Sequence, residues 1–182
     1  VDQALLDHLL ADYRQLLAKV DAHIATVAQS CADQLACRPG CASCCRHLTV
    51  TSVEAFALAR VLQDMPADQA AKLREGAAVA ADSEICPLLV GGLCRLYAAR
   101  PLICRTHGLP LLVEDEAGRR VDFCPQNFTG VESLPAALVL DLERLNILLA
   151  LINRQFLAGL EAAGVKIPER LPLAAALSLQ LL

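Results

Sequence analysis

At 182 residues the chain is long enough to bury one apolar core, and 55% of it is hydrophobic, yet no apolar run reaches the roughly 18–20 residues that a membrane-spanning helix needs. A net charge of -4 with 3% aromatic residues argues against a nucleic-acid surface, which needs basic side chains for phosphates and rings for stacking. Val1-Asp2-Gln3-Ala4 shows no basic segment leading into an apolar one, so no export signal is read, and a soluble, cytoplasmic protein with no membrane partner is expected.

In chain order, Leu6, Leu10, Tyr13, Leu17, Val20, Ile24 and Val27 recur in steps of four and three, which predicts a long amphipathic helix over about residues 2–30. Thr51-Ser52-Val53-Glu54 has the form of a capping box, and Leu58, Val61, Leu62 and Met65 continue it as a short helix ending before Pro66. Residues 67–81 are rich in alanine and polar helix formers and predict a further helix near the surface. From 83 to 131, punctuation by Pro87, Gly91, Gly92, Pro101, Gly108, Pro110, Gly118 and Pro125 predicts little regular structure.

A second seam, Leu138, Leu142, Leu145, Leu149, Ile152 and Phe156, predicts a helix over about 134–163, with Ser133 as its cap, Pro135 in its first turn and Gly164 as its stop. Leu148 and Leu151 widen its apolar face, so a central position is expected, with the two seams packed on each other. The apolar stretch from Leu171 to Leu182, broken at Pro172, is too short to span a membrane and reads as a docking helix. The expected fold class is mainly α: a helical bundle, one domain over 1–182, around an irregular, metal-organised, cysteine-rich central segment over 37–124.

Nine cysteines would mean disulfides in a secreted chain, but in a reducing compartment the same density points to metal or redox chemistry. Cys37, Cys41, Cys44 and Cys45 lie close together, with Pro39-Gly40 supplying a tight turn between the first two. A helix starting near Cys41 would put Cys41, Cys44 and Cys45 on one face. Cys86, Cys94, Cys104 and Cys124 follow in the irregular stretch. Crowded thiolates repel one another unless a cation binds them, so these eight are the expected metal ligands. Cys31, at the end of the first helix, is expected to pack in the core, as free thiols commonly do.

His107, three residues after Cys104, could add an imidazole to such a site or donate to a thiolate, and His47 is a weaker candidate. His8 and His23 read as surface or core residues. Arg100 and Arg105 around Cys104 are candidates to bind a thiolate-held cofactor by offsetting its charge, as are Arg38 and Arg46 around the first motif. Glu114, Asp115 and Glu116 read as a surface turn.

The chain resembles the bacterial YkgJ-type cysteine-cluster proteins, described as having a zinc- or iron-chelating domain with a C-x-x-x-C-x-x-C-C signature. The resemblance rests on Cys37, Cys41, Cys44 and Cys45, then Cys86-Pro87-Leu88, Gly92-Leu93-Cys94-Arg95-Leu96-Tyr97, Arg100-Pro101, Cys104-Arg105 and Cys124-Pro125, all in order. It covers about half the chain and implies metal chelation without implying a reaction. Flagellin lysine N-methylases are similar in carrying this motif, but no methyl-donor site is visible here, and that activity is not transferred.

Eight thiolates could make two four-sulfur sites, one polynuclear cluster, or one cluster with spare thiols, and the sequence leaves all three open. Adjacent side chains such as Cys44 and Cys45 rarely reach one tetrahedral ion together without strain, so they serve different metals or one stands aside. Cys86-Pro87 and Cys124-Pro125 repeat a feature that follows ligands in bacterial ferredoxins, which tilts the choice of cofactor from zinc toward an iron–sulfur cluster. The leading reading is a metal-binding protein used for electron transfer or redox chemistry on a protein partner. A structural zinc module that displays helices to a partner is the alternative. An enzyme, whether an iron–sulfur oxidoreductase or a metal-dependent modifying enzyme, ranks below these, because no Gly-rich phosphate loop, H-E-x-x-H pair or nucleophile elbow is present.

Overall fold

The first apolar seam forms two helices in line, α1 (Gln3–Leu9) and α2 (Ala11–Ser30), in a computed structural model that describes residues 2–116 and 118–181. Asp2 caps α1 by accepting from Leu5 N at 2.8 Å. Leu10 interrupts the single helix that the heptad spacing predicts. Its backbone stays near-helical, with φ −85° and ψ −7°, and Leu10 N still donates to Leu6 O while Arg14 N donates to Leu10 O. The apolar face therefore keeps its register across the break, burying Leu6, Leu10, Tyr13, Leu16, Val20 and Val27.

β1 (Thr49–Thr51) leads into α3 (Ser52–Asp64) through the predicted capping box: Glu54 Oε2 accepts from Thr51 N at 2.9 Å and from Thr51 Oγ1 at 2.8 Å. The other oxygen of this buried carboxylate accepts from Leu102 N at 2.9 Å. One side chain thus fixes both the start of α3 and the start of a later helix that carries a cysteine. α4 (Ala67–Val79) follows Pro66 and turns only Ala70, Leu73 and Ala77 fully inward, as its thin apolar pattern predicts.

The stretch 83–131 is more regular than its glycines and prolines suggest. It contains β2 (Leu89–Val90) and β3 (Leu93–Cys94), which pair as a small hairpin, then α5 (Leu102–Thr106), then β4 (Leu111–Asp115) and β5 (Gly118–Asp122), which pair antiparallel. The acidic run lies where β4 ends, with Glu114 opposite Arg119 and ion-paired to it at 3.6 Å.

α6 (Leu142–Ala162) starts later than the second seam predicts. Asp141 caps it by accepting from Arg144 N at 3.0 Å, whereas Ala136–Leu138 makes a single 3-10 turn and β6 (Leu140–Asp141) lies parallel to β4, Leu140 opposite Leu111. Pairing with β4 takes the backbone groups that a helix would need there. Gly164, at φ +81°, ends α6 as expected. The expected central position is not found: Leu148 and Leu151 are 46% and 43% exposed, and Ile147 is exposed beside them. Only the stripe of Leu145, Asn153, Phe156 and Leu160 is fully buried. That stripe does meet the first seam, as predicted, in a cluster of Leu6, Leu10, Tyr13, Phe56, Phe156 and Leu160, with the Phe56 and Phe156 rings edge to face at 5.2 Å.

β7 (Arg170–Pro172) pairs antiparallel with β1, and α7 (Leu173–Leu177) docks on α3 and α4 through Leu173 and Leu177. Pro172 precedes the docking helix instead of breaking it, and the predicted end at Leu182 lies outside the described residues. Asn153 of α6 locks this corner, accepting from Val53 N at 2.9 Å and donating to Glu169 O at 3.2 Å. The fold is mainly α, and no helix among the described residues is long and apolar enough to cross a membrane.

Candidate metal centre

The turn at Pro39-Gly40 forms as predicted, with Gly40 at φ +93° and Cys41 N donating to Arg38 O at 3.0 Å. The helix expected from Cys41 does not form. Residues 42–45 close a turn through Cys45 N and Ala42 O, and the chain then runs beside the 85–86 segment: Arg46 bridges Ile85, and Cys86 N donates to Cys45 O at 3.3 Å. That cross-strand pairing, invisible to local spacing, sets Cys45 opposite Cys86, while Arg46 N donates back to Cys44 O at 3.0 Å and closes a tight turn around Cys45.

The hairpin that follows brings the next cysteine back. Cys86 O accepts from Leu89 N at 3.0 Å, and Leu89 pairs with Cys94, so Cys86 and Cys94 stand at one end of the β2–β3 hairpin. Cys104 sits in α5, whose first amide is held by Glu54. Arg100 lies over the Tyr97 ring at 3.6 Å and donates to Tyr97 O and Cys104 O, which keeps its guanidinium beside this group of thiols.

Cys37, Cys41 and Cys124 are organised by a different element, the turn after Cys124. Asn127 is 1% exposed, and its N donates to Cys124 O at 2.8 Å. Its Oδ1 accepts from Ala36 N at 2.8 Å, and its Nδ2 donates to Gly108 O at 2.7 Å and to Cys37 Sγ at 3.5 Å. Gly108, at φ +89°, is the wedge of this assembly: a Cβ there would meet Asn127 Nδ2 at 3.1 Å, Cys124 Cβ at 3.3 Å and Cys37 Sγ at 3.6 Å. Gln126 Oε1 lies 3.9 Å from Cys41 Sγ. Asn127 and Gln126 are the residues that the sequence reading missed; a lone amide in a turn-rich stretch carries no signal until its partners, distant in sequence, are known.

Mutual repulsion shows which thiols are neighbours. Burial pushes the Cys44 thiol up first, and the nearby thiols of Cys45, Cys37 and Cys41 push in the same direction. Cys45 and Cys86 are likewise raised, by burial first and with a push from Cys94, while a hydrogen bond with the Cys44 thiol and then Arg100 oppose at Cys45 and the Leu88 backbone opposes at Cys86. Cys104 is pushed up to about 12 by burial, then by Cys86, Cys94 and Glu54, against the pull of Arg100. A cation among such groups would reverse this penalty, because it binds the thiolate and not the thiol.

The donor chemistry fits a zinc or iron ion: all nine cysteines are free of disulfides, and sulfur is the donor these metals share. Among the described residues, no three Cys, His, Asp or Glu side chains stand close enough, as placed, to hold an ion together. Ligation at about 2.3 Å therefore calls for side-chain rotation, for which Cys37 and Cys44 are exposed and Cys41 opens on a surface recess with Arg38, Ser43 and Gln126.

The remaining candidates divide sharply. Cys31 is 7% exposed and packs with Val27, Leu109, Phe128 and Leu138, the core role expected of it. Arg105 is tied to Asp21 at 2.7 and 2.8 Å and donates to the carbonyls of Arg100 and Ala98, so its charge is matched away from the thiols. His47 uses both ring nitrogens on the frame, Nδ1 with Ser83 O at 3.1 Å and Nε2 with Ala174 N at 3.2 Å. His107 is exposed at the end of α5, His8 is exposed, and His23 Nε2 meets Leu138 O at 3.2 Å.

Comparison with known families finds one model, CxxCxxCC, described as a "putative zinc- or iron-chelating domain", matching residues 36–125. The match contains all eight clustered cysteines, and this chain places three residues, Arg38-Pro39-Gly40, between the first two. Asn127 lies two positions beyond its end. No curated protein and no solved structure matches significantly.

Proposed function

We propose, on the premise that the chain belongs through residues 36–125 to the CxxCxxCC family of zinc- or iron-chelating domains, that Cys37, Cys41, Cys44, Cys45, Cys86, Cys94, Cys104 and Cys124 are its metal ligands. The observation that carries this reading is the gathering of free thiols from separate stretches into mutual repulsion range. Such crowding is unfavourable in the metal-free chain and becomes favourable when a cation is bound. We take the whole chain as one metal-chelating unit, in which α1–α2, α3 and α6 form the frame and the cysteine segment is the part that metal completes.

Use of the metal in electron transfer to a protein partner in the cytoplasm is the finer reading. Its supports are the two Cys-Pro steps, the exposure of Cys37 and Cys44, and the Arg100 guanidinium held beside Cys45 and Cys104. An iron–sulfur cluster in this place would supply a one-electron couple; the chain's own part is to fix the sulfurs, supply N–H and guanidinium partners to them, and limit water at Cys104. A purely structural zinc module is favoured by one feature, the tie of the cysteine segment to α3 through Glu54 and Leu102.

Anaerobic purification of the full chain, with elemental analysis and an absorption spectrum, tests both. Iron with matching sulfide and visible charge-transfer bands are expected. A colourless protein holding only zinc removes the redox reading and leaves the structural one. A chain that binds neither metal overturns chelation itself.

A further inference from the structure

We propose that the exposed apolar face of α6 is where two copies of this chain meet, packed antiparallel about a two-fold axis at the level of Leu149. The contact uses no cysteine and stands apart from the chelation reading.

α6 carries more apolar surface than its own chain covers. Leu145, Phe156 and Leu160 are buried, while Ile147, Leu148 and Leu151 are each about half exposed. At 3.6 residues per turn, Leu151 stands about 40° round the helix from Ile147 and Leu148 about 100°, on the side away from Phe156. Single exposed apolar residues are ordinary on a protein surface, but three on one stripe of one helix mark a contact.

The charges along its edge decide what covers the stripe. Glu143 and Arg154 are exposed, and neither has an ion-pair partner among the described residues. Both lie on one edge, within about 40° of Ile147 and on the side away from Leu148. Along the helix, their midpoint falls between Leu148 and Leu149, and the midpoint of Ile147 and Leu151 falls at Leu149. A two-fold axis at that level, perpendicular to α6, keeps each edge on its own side and reverses the order of residues along it. Glu143 then faces the partner's Arg154, Arg154 faces the partner's Glu143, and Ile147 packs against the partner's Leu151 in both directions. Arg144, held by Asp141 at 3.6 Å, lies on the other edge opposite the partner's Gln155, so no like charges are brought together. A uniformly acidic or basic partner would match one of the two edge charges and oppose the other, whereas a second copy matches both.

Two single helix faces bury less than the roughly 1,600 Å² of a standard interface, so a reversible dimer is expected, half-formed at roughly 10–100 µM chain. Sedimentation equilibrium tests this on the full chain, kept reduced and free of oxygen so that no disulfide joins two copies. The dimer is expected both with metal and after chelator treatment. A chain still monomeric at ten times that concentration overturns the proposal, as does a dimer that vanishes with the metal, since such a dimer is bridged at the cysteines. Leu151→Asp sets a carboxylate against the partner's Ile147 and is expected to weaken the dimer at least about tenfold, with circular dichroism and metal content unchanged. Glu143→Arg and Arg154→Glu, each alone, bring like charges together twice per dimer and are expected to weaken it about fivefold. The two together are expected to restore it to within about twofold of the wild type, and a failure to restore overturns the antiparallel pairing. Hydroxyl-radical footprinting of the unmodified chain, above and below the midpoint of association, needs no variant. Slower labelling of Ile147, Leu148 and Leu151 in the dimer is expected, and protection found only elsewhere overturns α6 as the contact.

Discussion

The helical frame and the cysteine segment are held by different forces. In the frame, Leu10, Phe156 and Leu160 are almost completely buried, and α1, α2, α3 and α6 meet through apolar side chains. In the segment, the clustered cysteines are exposed or half-buried, and a few apolar anchors, Leu88, Leu96, Leu102 and Leu109, are joined by hydrogen bonds of the Glu54, Asn127 and Arg100 side chains. Apolar burial holds the frame, whereas polar side-chain bonds carry a larger share of the contacts around the cysteines. The difference teaches why eight sulfurs can remain accessible in a protein rich in apolar residues.

Metal removal gives the largest expected effect. Structural zinc contributes about 10–16 kcal/mol of apparent binding energy in small metal-folded peptides, far more than any one contact in the segment. Hydrogen exchange before and after chelator treatment of the anaerobic protein is expected to show amides of residues 37–46 and 85–127 losing at least about tenfold protection, while those of α2, α3 and α6 keep theirs. Equal loss in both regions would erase the distinction between frame and segment.

Phe156→Ala attacks the other side of the comparison. It removes a ring that is 1% exposed and packed on Phe56, for an expected cost of about 3–5 kcal/mol. Chemical denaturation of the metal-loaded protein measures it, and metal content per folded chain should not change. Metal lost in step with stability would mean that the frame and the centre are one cooperative unit.

The frame was far more legible in the sequence than the centre. Period 3.6 placed α2 and α3, and the Thr51-to-Glu54 box marked its helix to the residue, because these signals are local. Ser133 and Pro135 imitated a helix start that Asp141 provides, since the parallel pairing of Leu140 with Leu111 competes for that backbone. The β4–β5 hairpin is a local pairing that the surrounding prolines and glycines masked, and a separate pairing of the 45–46 and 85–86 stretches stands where a helix was expected from Cys41. Leu148 and Leu151 misled in another way: their apolar character says what burial would gain, not whether a neighbour covers them. For the eight cysteines, identity and clustering were readable, but the division of labour around Asn127 and Gly108 depends on contacts between residues tens of positions apart.

Asn127→Ala sharpens the comparison on the segment side. It leaves Ala36 N–H and Gly108 C=O without their partner, at about 1–3 kcal/mol for each group left unsatisfied. The expected outcome is weaker metal retention with the helical circular dichroism preserved. A variant that keeps its metal affinity would show that the amide serves the fold alone.

Cys31→Ser should have the smallest effect, and it asks whether chemistry or location decides a cysteine's role. Cys31 has the same thiol as the clustered eight, but it lies at the end of α2 against Val27, Phe128 and Leu138, with its N bonded to Val27 O at 2.9 Å. A serine hydroxyl there loses its water and sits among apolar neighbours, which places the expected cost near the low end of polar burial, about 1 kcal/mol. Metal content measured on the purified variant should equal that of the wild type. If it falls by a whole equivalent, burial at the end of a helix is not enough to keep a cysteine out of the centre, and the boundary between the two regions has to be drawn through α2 instead of after it.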